Sequence, residues 1–118
     1  MQRRNQGDMY ERILAEKLGG RVVSASGSTP HNKEDIKTKH WLIQAKSCRS
    51  KSHSIGRDEL RKLQSHAENT GRQPLYVVGF FDLESELRSA GQLLEWVIMP
   101  MSVFRESGLL EKGLLNDS

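Results

Sequence analysis

Lys33-Glu34-Asp35-Ile36 and, one short turn later, Trp41-Leu42-Ile43-Gln44-Ala45-Lys46 are the residues on which the fold of this chain turns. Asp35 to Lys37 and the apolar Trp41 to Lys46 read as two antiparallel strands joined tightly near Lys39-His40. A turn centred there sets Asp35 opposite Gln44. The two-residue side-chain period then puts Gln44 and Lys46 on that same face, with Trp41, Ile43 and Ala45 turned the other way into the core.

Upstream, Asp8 is placed to cap a helix from about Asp8 to Leu18, with Met9, Ile13, Leu14 and Leu18 at helical spacing and Gly19-Gly20 as its stop. Glu11 lies three residues before Leu14 and seven before Leu18, so it flanks the buried stripe, where a carboxylate can line a cleft. Arg21-Val22-Val23 is a short strand, and Ser24 to Pro30 a small-residue loop rich in hydroxyls. Downstream, Ser47 to Ile55 has no apolar period and reads as a loop carrying Arg49, Lys51 and His53. Asp58 then caps a second helix, with Leu60, Leu63 and Ala67 on its apolar stripe, Arg57, Arg61 and Lys62 off it, and a stop near Gly71. Leu75 to Phe81 and Leu93 to Met99 are continuous apolar runs, the pattern of buried central strands, and Met101 to Glu106 suits a short final helix. The order is α-β-β-β-α-β-β, an α/β fold with a mixed sheet flanked by helices. Residues 1–118 read as one domain, with 113–118 as a frayed tail.

A chain of 118 residues buries roughly two-thirds of its unfolded surface and needs no staples. Its single cysteine, Cys48, forms no internal disulfide, and structural zinc would have to rest on scattered histidines. No apolar run reaches the roughly 20 residues of a membrane span and Met1-Gln2-Arg3-Arg4 leads into a polar segment, so the expectation is a cytoplasmic protein with no membrane partner. Net charge is only +3, yet residues 31–62 hold nine Lys/Arg against four acids, leaving that window at +5 and the remainder at −2. Cations gathered on one surface suit a polyanion; a solvated helix face explains the same run about as well.

Hydrolysis of a phosphodiester at neutral pH needs an activated water and a stabilised pentacovalent phosphate, which hard divalent cations held by oxygen ligands provide. Asp35 at a strand end, a side-chain oxygen at Gln44 and the Ala45 carbonyl are candidate metal ligands, with Glu11 completing the outer site. Lys46, two residues after Gln44, is suited to orient the attacking water or neutralise the phosphate.

With these residues in this order, the chain resembles the PD-(D/E)xK nuclease superfamily and, within it, the archaeal-type Holliday-junction resolvases, including relatives carried by phages. The resemblance runs from about Arg3 to Phe80. It rests on Arg4-x-x-Gly7-x-x-x-Glu11-Arg12, the Ser26-x-Ser28 loop, Asp35, the apolar strand ending Gln44-Ala45-Lys46-Ser47, and Pro74 to Phe80 after the second helix. It implies a restriction-endonuclease-like fold, Mg²⁺ or Mn²⁺ held by Glu11, Asp35, Gln44 and the Ala45 backbone, and Lys46 with these as the catalytic set. Arg3, Arg4, Arg12, Ser26 and Ser28 then fall near the DNA backbone, joined by Arg49, Lys51, His53, Arg57, Arg61 and Lys62 from the basic window. It further implies a homodimer that makes paired cuts in a four-way junction.

Gln44 departs from that pattern, which has Glu there. An amide oxygen is a weaker ligand and removes one negative charge. Three readings stay open: a natural active variant, an isosteric substitution that silences the site, or a binding module that no longer cuts. Glu34 projects to the opposite face from Asp35 and would restore the charge only by a one-residue register shift. A nicking or repair endonuclease of the same superfamily is an alternative; RNA binding is disfavoured by the lack of a run of exposed aromatics. Trp41 and Trp96 read as core, and Cys48 as a passive neighbour. The apolar stretch Leu93 to Phe104 and the tail leucines Leu109, Leu110, Leu114 and Leu115 exceed what one small core requires, which leaves surface for a subunit interface.

Overall fold

A computed structural model describes residues 6–23, 35–82 and 93–108, with Gln6, Gly7, Asp8 and Asp35 described in backbone alone. The expected Ser24 to Pro30 loop, Arg3, Arg4, Ser26, Ser28, Glu34 and the tail from Leu109 lie outside the described residues. The elements are α1 (Gln6–Leu18), β1 (Arg21–Val23), β2 (Asp35–Lys37), β3 (Trp41–Cys48), α2 (Arg57–Asn69), β4 (Gln73–Phe80), β5 (Leu94–Ile98) and α3 (Met101–Glu106). They form a mixed α/β fold with one five-stranded sheet in sequential order, β1-β2-β3-β4-β5. All neighbours are antiparallel except β3 and β4, which run parallel because α2 carries the chain back between them.

β3 is the central strand and is buried on both faces. Ile43 and Ala45 join Ile36, Val77, Tyr10, Leu14 and Ala15 beneath α1. Leu42, on the opposite face, joins Leu63, Ala67, Tyr76 and Val78 beneath α2. The alternation of the sequence therefore survives, but the face bearing Gln44 and Lys46 is covered in part by a helix of its own. β3 also runs two residues longer than its apolar stretch, through Ser47 and Cys48, which pair with Gly79 and Phe80. The loop expected from Ser47 thus starts at Arg49, because a parallel ladder satisfies the backbone whatever the side chains are.

The helix starts differ from expectation. Asp8 lies inside the first turn of α1, and Asp58 inside that of α2, whose cap is Gly56 with no side-chain hydrogen bond. Acids in a first turn face the positive end of the helix, so the same residue type serves there as at a cap. The buried stripe of α1 is Tyr10, Glu11, Leu14 and Ala15, and Leu18 is exposed, so the helix is rotated from the stripe drawn through Met9, Ile13 and Leu18.

Pro74 sits within β4 without cost. The alternating hydrogen bonds His40 C=O to Gln73 N–H and Cys48 C=O to Phe81 N–H aim the odd-numbered amides of β4 at β3, so the missing Pro74 N–H faces the β5 side. The β5 register ends opposite Tyr76, so no ladder bond is lost there. Among the described residues β5 is an edge strand, contrary to the central position expected of its apolar run. Leu94 (60% exposed), Trp96 (62%), Val97 and the following Met101 face solvent. Trp96 is therefore not core; an apolar run reads alike whether or not another element covers it.

α1 is locked to the sheet at Gly79. A Cβ there would stand 2.8 Å from Cζ and Oη of Tyr10, and Tyr10 is itself held by donating its hydroxyl to Glu95 Oε2 at 2.6 Å. Burial, then that hydrogen bond, push the Tyr10 phenol well above its usual pKa, so it remains a donor. Gly79→Ala is expected to lower the denaturant midpoint by the equivalent of about 1–3 kcal/mol, since neither ring nor backbone can yield cheaply. Unchanged stability in an equilibrium urea melt would show that α1 can shift off β4.

Candidate functional site

The β2–β3 register pairs Ile36 with Ile43 and Lys37 with Leu42, so the next step places Asp35 across from Gln44, as the turn position required. Beyond Gln44, no described β2 residue pairs with β3. Trp41 C=O accepts from Thr38 N–H on the β2 side, while Cys48 C=O accepts from Phe81 N–H on the β4 side. Carbonyl direction alternates along a strand, so Ala45 C=O points to the β2 side, one position past the last antiparallel step. Its oxygen is thus directed at the region a backbone ligand would have to serve.

Glu11 and Gln44, each 8% exposed, are the buried polar residues among the described ones. Glu11 comes from the stripe of α1 that packs on Ala45 and Val77, and the neighbouring Tyr10 sits over Gly79, the partner of Gly79 across the ladder being Ser47. The first half of α1 therefore lies at the C-terminal end of β3. Gln44 and Lys46 belong to the opposite sheet face. Glu11 thus lies on the α1 side of the sheet, and Gln44 and Lys46 on the α2 side.

Lys46 is about 7 Å along the strand from Gln44 by the usual rise per residue. Its Nζ lies 3.9 Å from Glu59 Oε2, with both side chains largely shielded. Tyr76 donates its hydroxyl to the same Glu59 oxygen at 3.4 Å, and His53 Nε2 is 2.7 Å from the phenol oxygen. The donor in the His53–Tyr76 contact is set by the His53 tautomer. Burial, and then the charge of Glu59, raise the Tyr76 pKa well above its usual value, which keeps the phenol proton in place. Four elements are tied in this way: the loop after β3 through His53, β4 through Tyr76, α2 through Glu59 and β3 through Lys46.

Sequence reasoning misses Glu59 and Tyr76, though one signal points to Glu59. Glu59, Leu63 and Ala67 fall at i, i+4 and i+8, which puts Glu59 on the inner stripe of α2. His53, expected as a phosphate contact, is half-buried and lies against Tyr76 with ring centroids 6.0 Å apart. The loop it belongs to is structured: Cys48 Sγ lies 3.0 Å from Ser50 Oγ and donates to Ser52 C=O at 3.3 Å.

Arg49, Lys51, Arg57, Arg61 and Lys62 are exposed around the start of α2, beside Lys46, and Arg49 Nε donates to the Asp82 carbonyl at 3.2 Å. They form a cationic rim at the C-terminal ends of β3 and β4. Arg12 is exposed on the outer side of α1, adjacent in sequence to the buried Glu11.

Oxygen donors suit a hard divalent cation: the Glu11 carboxylate, the Gln44 amide and the Ala45 carbonyl are of that type, and Asp35 stands at the matching register position. Among the described residues no three His, Cys, Asp or Glu side chains gather as a metal-binding group. Glu11 is the one member of the expected set that has such a side chain described. No helix of the described residues is long and apolar enough to cross a membrane. Comparisons with family models, with curated proteins and with solved structures find no match to this chain.

Proposed function

We propose that this chain is a metal-dependent DNA endonuclease with a restriction-endonuclease-like fold, acting as a homodimer on four-way junctions. The observation that carries the reading is that Glu11 and Gln44, chosen from sequence, are the buried polar residues among those described, with Lys46 two residues beyond Gln44 on the same sheet face. Burying polar groups is costly unless they serve one another or a ligand. Glu11, Asp35, Gln44 and the Ala45 carbonyl would hold Mg²⁺ or Mn²⁺. A bound divalent cation of that kind would lower the pKa of its water and neutralise charge on the phosphate. Lys46, held by Glu59, offers an ammonium to the scissile phosphate or the attacking water. The rim of Arg49, Lys51, Arg57, Arg61 and Lys62 supplies phosphate contacts that position the backbone without reading sequence.

Exposed Leu94, Trp96, Val97 and Met101 offer an apolar edge on which two copies would associate. The test is incubation with labelled four-way junction and linear duplex in Mg²⁺ and in Mn²⁺, alongside light scattering at micromolar protein. Paired cuts on the junction by a dimer are expected. Clean cutting of duplex without paired junction cuts would replace the resolvase by a nicking or repair enzyme, and a monomeric mass would remove the dimer.

Gln44 favours a second reading, a DNA-binding module that no longer cuts. An amide among carboxylates weakens a cation site while leaving the cationic rim intact. Tight junction binding with no cleavage under either metal is its expected signature.

A further inference from the structure

At the end of the sheet remote from Lys46, an open depression of about 330 Å³ is lined by Gly19, Gly20, Arg21, Lys37, Thr38, Lys39 and Arg72. Four of these seven residues are cationic and none is acidic. Arg72 is fixed there, Nε donating to Thr38 C=O at 2.8 Å and Nη1 to Thr70 C=O at 3.3 Å. A guanidinium with two donors spent on carbonyls keeps the rest of its fork for an anion. Gly19, in the left-handed region at φ 71°, turns α1 out of the way, and Gly20 lies so close that a Cβ would stand 2.8 Å from Lys37 C=O. The floor is therefore backbone, open to close approach.

Arg21 and Lys37 are register partners and so share a sheet face. Ile36 packs toward α1, which assigns Lys37 by alternation to the other face, that of Gln44 and Lys46. α2 packs on β3 and β4, whereas α1 packs on β1, β2 and β3, so this face of β1 and β2 lies beside α2 and not beneath it. From Trp41, where β3 leaves the turn, to Lys46 is about 17 Å by strand rise, or roughly five base-pair steps of duplex.

We propose that the Arg21–Lys37–Lys39–Arg72 depression is a second phosphodiester-binding site, which grips the DNA backbone about 17 Å from the candidate centre; this rests on DNA being the substrate. Like-charged side chains held together with no acid among the described lining residues are self-repelling, and a phosphate between them relieves that repulsion. The site sets how the duplex lies and takes no part in cleavage.

The test measures junction and duplex binding by fluorescence anisotropy in EDTA over a series of salt concentrations, for the wild-type chain and for an Arg21→Ala/Lys39→Ala double variant. Both side chains are exposed; Lys39→Ala alone serves if the double variant does not fold. The expected result is about tenfold weaker binding and a salt slope shallower by about 2, or by about 1 for the single variant, with single-turnover cleavage at saturating protein unchanged. An unchanged slope while the wild-type chain binds overturns the second site and leaves the nuclease reading standing. A reduced slope in a chain that binds but never cuts supports the second site while the nuclease reading fails. Absence of DNA binding by the wild-type chain overturns both.

Discussion

Gln44→Glu is expected to raise divalent-cation-dependent junction cleavage by on the order of ten- to a hundredfold at limiting Mg²⁺, the range by which ligand-sphere changes move metal affinity. Gln44 is 8% exposed and stands across the register from Asp35. Added negative charge there is costly without a cation and favourable with one. Two readouts follow. The gain should shrink as Mg²⁺ is raised, since saturating metal offsets weak binding. The variant should also melt below the wild-type chain in EDTA and recover with Mg²⁺, because a cation that binds only the folded state stabilises it. If cleavage stays absent at every metal concentration while the junction is bound tightly, the chain is a binding module.

Lys46→Ala is expected to reduce single-turnover junction cleavage by roughly 10²–10³-fold, the usual effect of removing one group that stabilises developing charge. Junction affinity in EDTA should change little, since five other cations surround the start of α2. Equal losses in cleavage and affinity would make Lys46 one more phosphate contact. Glu59→Gln adds a distinguishing arm. It keeps an acceptor for Tyr76 but removes the charge 3.9 Å from Lys46, so cleavage should fall by less than in Lys46→Ala with the fold intact. A cleavage rate unaffected by Glu59→Gln would show that the ion pair does not position the ammonium.

Much of this is legible in the sequence, because the relevant signals are local. The turn at Lys39-His40 and the two-residue period suffice to set Asp35 against Gln44, and Gly19-Gly20 and Gly71 end both long helices near where expected. Burial was harder to read. Glu11 flanks the stripe drawn from sequence and is buried, whereas Leu94 and Trp96 belong to an apolar run that reads as internal and are exposed. Apolarity records what a residue tolerates, and only packing against other elements decides what covers it.

The sequence by itself determined the order of elements, the antiparallel pairing that aligns Asp35 with Gln44, and the parity that places Lys46 beside Gln44, since each follows from backbone geometry over a few residues. Only the tertiary structure decided that Lys46 is held by Glu59, that Tyr76 and His53 brace that pair, and that Arg72 joins Arg21, Lys37 and Lys39 in one depression. These residues lie 13 to 51 positions apart in the relevant pairs, as Lys46 to Glu59 and Arg21 to Arg72. No local periodicity encodes such separations. They arise when α2 returns the chain to lay β4 parallel to β3, a long-range closure that the packing of two helices on one sheet enforces.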